Sequence, residues 1–149
     1  MSDLRAIYQD IILDHYRKPR NFAELGEASH HAGGHNPLCG DKVEIFLKLD
    51  GDTVSEATFK GNGCAISTAS ASLMTEAVRG KSVAEVRDLF ERFRTMLTDA
   101  DSSVEDLGKL EALSGVRQLP VRIKCATLAW HTLQAALEDT NGQTAVTTE

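Results

Sequence analysis

The chain has 149 residues, 42% hydrophobic and 26% charged, with only 3 Pro, enough for one compact domain around a single core without disulfide staples. Net charge is −6 and the 16 Lys and Arg are scattered, which excludes nucleic acid or an anionic membrane surface as an expected partner, since both need a concentrated basic face. Residues 1–20 mix acids and bases without a secretory or transit signature, and no stretch approaches the ~20 apolar residues of a membrane span, so the expected compartment is the cytoplasm.

Leu4, Tyr8, Ile11 and His15 recur at helical spacing, and Pro19 closes that segment, predicting an amphipathic first helix. A Gly-rich stretch, GEASHHAGGHNP, follows with room for a short edge strand. Val43–Leu49 and Val54–Phe59 then read as strands joined by Asp50-Gly51-Asp52, a hairpin signal. Beyond Gly61-Asn62-Gly63 the period changes, and Ile66, Ala69, Leu73 and Ala77 predict a helix ending near Gly80. Ser82-Val83-Ala84-Glu85 reads as a capping box opening a helix through Val86, Phe90, Phe93 and Leu97. A second box, Ser102-Ser103-Val104-Glu105, predicts a shorter helix, and Pro120 precedes a last one through Cys125, Leu128, Leu133 and Ala136. Strands first and helices after, without βαβ alternation, predict an α+β fold: a small antiparallel sheet packed against several α-helices. Residues 1–138 are expected to form the domain, and residues 139–149, without apolar periodicity, a disordered tail.

Three cysteines cannot form a fully paired disulfide framework within one chain. In a reducing compartment they are buried inert thiols, metal ligands or reactive thiolates. Each lies at an element boundary. Cys39 opens Cys39-Gly40-Asp41 ahead of the hairpin, where Gly40 lets the backbone turn and aim Cys39 and Asp41 at one point. Cys64 follows Gly-Asn-Gly at a predicted helix N-terminus, where free amides and the helix dipole favour an anion and make sulfur a better ligand or nucleophile. Cys125 follows Lys124 near the start of the last helix.

With 24 and 60 residues between the cysteines, no short metal motif applies, and spacing alone leaves two readings open. One is a four-ligand zinc set of three thiolates and Asp41; the other is three unrelated thiols with Asp41 as a turn residue. His30, His31 and His35 form a rival cluster, with His35 four residues before Cys39, but a solvated Gly-rich loop often carries histidines idly. His131 reads as a surface or half-buried histidine of the last helix. Trp130, Phe90 and Phe93 read as core or partner-facing bulk.

YQDIILDHYRKPRNF (8–22), NPLCGD (36–41), FKGNGCAISTASASLMT (59–75) and LPVRIKCATLAW (119–130) together resemble the U-type iron–sulfur cluster assembly family, the NifU/IscU-like N-terminal domains, in that family's order. The IscU-type scaffold branch carries His immediately before its third cysteine. Lys124 stands there in this chain, as in the SufU-type branch, and the long segment between Cys64 and Cys125 resembles that branch's insertion. LPVRIK matches the scaffold branch's chaperone-binding segment only in part.

The resemblance implies an IscU/SufU-like single domain that binds Zn2+ through Cys39, Asp41, Cys64 and Cys125. It further implies a zinc-dependent sulfurtransferase with Cys39 as the acceptor of persulfide sulfur. The implied partners are a PLP-dependent cysteine desulfurase of the SufS type, which it stimulates, and other SUF assembly proteins. Lys124 would either offset the site's net negative charge or lie at the surface. Two rival expectations are a scaffold assembling a [2Fe–2S] cluster or holding iron on the same cysteines, and a structural zinc domain serving protein contacts.

Overall fold

Alternation of apolar and polar residues drives the central hairpin. Strand β2 (Asp41–Asp50) buries Val43, Ile45 and Leu47 and turns Lys42 and Glu44 outward. It pairs antiparallel with β3 (Thr53–Asn62), whose Val54, Ala57 and Phe59 face the same core. Asp50 lies opposite Thr53, which leaves Gly51-Asp52 as the loop, and the register shifts between Lys48 and Leu49, a local bulge. These coordinates are a computed structural model that describes residues 2–37, 40–99, 107–138 and 145–147, with no side chains described at 2–5 and 145–147. The second predicted capping box, Ser102–Glu105, lies outside the described residues, as does Cys39.

The Gly-rich stretch does hold a strand, β1 (His30–Asn36), antiparallel to β2 with Asn36 opposite Asp41. It is not a sheet edge, because β4 (Ala145–Thr147) pairs parallel with Gly33–His35, giving the order β3-β2-β1-β4. The tail expected to be disordered thus carries a three-residue strand. Ala-Val-Thr is too short to show a periodicity, and it is the open amides of β1 that recruit it.

Helix α1 (Ser2–Arg17) is followed, after the hairpin, by α2 (Ala65–Val78) and α3 (Val83–Thr98). At the start of α3, Ser82 Oγ accepts from the Glu85 N–H (3.1 Å) while Glu85 Oε1 accepts from the Ser82 N–H (2.9 Å), the predicted capping box. A 3-10 helix over Gly108–Gln118 leads into α4 (Pro120–Glu138), with Pro120 as its first residue, where a missing N–H costs nothing. Among the described residues no helix is long and apolar enough to cross a membrane.

Helix α4 buries Ala126, Leu128, Ala129, Trp130, Leu133 and Ala136. Trp130 is fully buried, with ring centroids 4.7 Å from Phe93 and 5.8 Å from Phe90, so these aromatics are core and not partner-facing bulk. Burying an indole is favourable only if its N–H is bonded. Trp130 Nε1 donates to Ser70 Oγ (3.2 Å), and Ser70 donates to the Ala126 carbonyl (2.6 Å). That relay ties α4 to α2 one residue from Cys125.

Candidate metal centre

Three elements converge at one end of the sheet. Asp41 is the first residue of β2 and is fully buried, an environment hostile to a carboxylate without partners. Its Oδ1 accepts from the Cys64 N–H at 2.9 Å, and its Oδ2 lies 3.9 Å from Cys64 Sγ. A Cβ added at Gly63 would stand 2.5 Å from Asp41 Oδ1, so the glycine before Cys64 is what lets the carboxylate approach. Gly40, at φ +72°, takes the left-handed turn into β2 that other residues resist.

Cys64 is the N-cap of α2, and its half-buried sulfur accepts from the Ser67 N–H at 3.4 Å. An anion there is favoured by the helix dipole and the first-turn amides. Cys125 lies in the second turn of α4, fully buried. Its sulfur is 3.8 Å from Asn36 Nδ2 and 3.8 Å from the Val121 carbonyl. One donor atom from each of Asp41, Cys64 and Cys125 lies within 4.8 Å of the others.

Two sulfurs and a carboxylate oxygen are a borderline-soft donor set that suits zinc. Tetrahedral zinc, with bonds of about 2.0–2.3 Å, holds its donors about 3.5–3.8 Å apart, so the cluster is within about 1 Å of closing on an ion. The residues present fit a metal, with one position still to be supplied. Three of the four proposed ligands are thereby brought together, and the fourth, Cys39, lies outside the described residues.

The rival histidines take no part in this cluster. His35 is exposed on β1, while His31 stacks on Phe46 (4.5 Å) and meets Glu44 at 3.2 Å. His131 is half-buried on α4 edge-on to Phe90, and burial, reinforced by Arg94, holds its pKa below the usual histidine value. Lys124 is half-buried at the surface of α4.

Sequence reasoning assigned no role to Asn36 or Gly63. Both stand inside the informative runs, in NPLCGD and GNGC, but their parts depend on contacts with Cys125 and Asp41 that only folding creates.

The profile of the NifU-like N terminal domain matches residues 7–147. The chain is 43% identical over 143 residues to the zinc-dependent sulfurtransferase SufU of Bacillus subtilis (strain 168), covering 95% of this chain and 96% of that one. It is 39% identical over 139 residues to the iron-sulfur cluster assembly scaffold protein IscU of Streptococcus pyogenes serotype M1, covering 93% and 87%. A crystal structure from Fervidobacterium islandicum AW-1, described as an iron-sulfur cluster assembly scaffold protein for the SUF system, superposes with a TM-score of 0.82 at 32% identity, covering 89% of this chain and 98% of that one. Agreement in sequence, in fold and over nearly the whole length makes this chain a member of the NifU-like N-terminal domain family.

Proposed function

We propose that the protein is a zinc-dependent sulfurtransferase of iron–sulfur cluster biogenesis, acting in the reducing cytoplasm, and that its sulfur acceptor is Cys39. The observation that carries this reading is the convergence of Asp41, Cys64 and Cys125 from three separate elements within 4.8 Å. Cys39 is two residues from Asp41, so covalent bonds alone keep its Cα within about 7 Å of the Asp41 Cα. Cys39, Asp41, Cys64 and Cys125 would hold the metal. Bound zinc would keep the thiols deprotonated and shield them from oxidation, having no redox chemistry of its own.

The donor is the persulfide of a PLP-dependent cysteine desulfurase of the SufS type. The Cys39 thiolate attacks the terminal sulfur of that persulfide; a new S–S bond forms on Cys39, the old S–S bond breaks, and the desulfurase cysteine leaves as a thiolate. No external oxidant or reductant is consumed. Cys39 suits this role because in sequence it falls between Pro37 and Gly40, residues that interrupt regular structure, whereas Cys64 caps α2 and Cys125 lies within α4 as fixed anchors.

Mass spectrometry after incubation with desulfurase and cysteine is expected to find one added sulfur on Cys39, and Cys39→Ser is expected to abolish both acceptance and stimulation. Label on Cys64 or Cys125, with the Cys39→Ser variant still active, would refute the assignment. The relatives named as scaffolds define the alternative of cluster assembly on the same residues. Anaerobic purification separates the two: a colourless protein with one zinc per chain supports transfer, and a brown iron-containing one supports the scaffold.

A further inference from the structure

Asn36 closes β1 with its side chain wholly buried. Its backbone is paired with Asp41 across the strands, and its amide Nδ2 reaches Cys125 Sγ at 3.8 Å. One residue is thus paired by strand register with the residue that bears the carboxylate and reaches the Cys125 sulfur through an N–H. The surroundings of Cys125 make this contact selective. The Val121 carbonyl, also 3.8 Å from the sulfur, can accept from a thiol but repels a metal-bound thiolate, which is an acceptor only. An amide N–H donates weakly to a thiol sulfur and more strongly to a thiolate.

We propose that Asn36 is a positioning residue of the metal centre: its side-chain amide donates to Cys125 Sγ, draws charge from the sulfur and holds it at the bonding position. The proposal rests on Cys125 being a metal ligand, as the proposed function holds. Groups that bond to a ligand's far side set its orientation and basicity, and losing one typically weakens metal binding 10- to 100-fold.

The test uses the full chain loaded with Co2+ in place of Zn2+, because thiolate-to-cobalt charge-transfer absorption reports charge on sulfur. Asn36→Asp keeps the shape and removes the donor; Asn36→Leu removes it without adding charge. Both are expected to shift the charge-transfer band and to lower retention of zinc against a chelator by about tenfold or more, and in the uncharged Asn36→Leu variant the metal-loaded chain is expected to lose more melting temperature than the metal-free chain. An unmoved band with unchanged retention overturns the proposal, as does an equal loss of stability in metal-free and metal-loaded chains. Wild-type protein supplies a measurement that needs no variant: on metal loading, the Asn36 side-chain amide proton is expected to move downfield, and an unmoved resonance counts against the bond. Complete absence of charge-transfer absorption in the wild-type chain would instead refute the thiolate centre itself.

Discussion

At the residue scale the centre depends on the space in front of Asp41. A methyl at position 63 would meet Asp41 Oδ1 at 2.5 Å, far inside van der Waals contact. Gly63→Ala is therefore expected to push the carboxylate out and to weaken zinc retention by about tenfold or more, measured by chelator competition. Retention equal to wild type would show that Asp41 is not a ligand. Asp41→Ala would remove a proposed ligand together with an acceptor, because Oδ1 serves the Cys64 N–H. An orphaned, partly buried donor costs about 1–3 kcal/mol, so this variant should lose zinc and also unfold at lower urea without metal. Unchanged zinc affinity in Asp41→Ala would mean that Asp41 only shapes the turn. NPLCGD and GNGC were legible as site segments because each sets Gly beside Cys. Asn36 was not, because an amide becomes a partner for sulfur only when β1 is laid against α4.

At the element scale, α1 is joined to α2 through a buried histidine. His15 Nδ1 is 2.7 Å from Ser72 Oγ, which also accepts from the Arg20 N–H at 2.9 Å. His15 Nε2 lies 3.7 Å from Glu76 Oε1, too far for a hydrogen bond. Burial, aided by Arg20, holds the His15 pKa below its ordinary 6.5, and Glu76 only partly opposes this. The unfolded chain thus takes up a proton near pH 6.5 that the folded one refuses, so stability contributed by His15 is full above that pH and declines as pH falls toward the folded pKa. His15→Gln is expected to be less stable than wild type at pH 7.5, with a gap that narrows by pH 5; a constant gap in urea melts would contradict this. Ser82→Ala, which breaks the capping box of α3, should cost about 1 kcal/mol without altering metal content, measured as a lower urea midpoint.

At the scale of the whole molecule a metal bound at this centre would act as a crosslink. Its donors would come from β2, the N-terminus of α2 and the second turn of α4, elements far apart in the chain, so binding energy would be folding energy. Removing zinc with a strong chelator is expected to lower the melting temperature by several degrees or more, and restoring it to reverse the loss. A melting curve indifferent to zinc would separate the centre from the fold.

The sequence by itself determined the strand hairpin, helices α1 to α4 and the first capping box, because periods of two and of 3.6 residues and cap chemistry are local properties. It also marked Cys39, Asp41, Cys64 and Cys125 as the residues worth watching, since glycine and helix starts beside cysteine are visible in one dimension. Only the tertiary structure decided that Asp41, Cys64 and Cys125 meet, that His35 faces solvent and that Trp130 is core. It alone added β4 to the sheet. Convergence across 60 intervening residues is set by how α4 packs on β1, β2 and α2, and that packing is a sum over many side-chain contacts that no single stretch of sequence encodes.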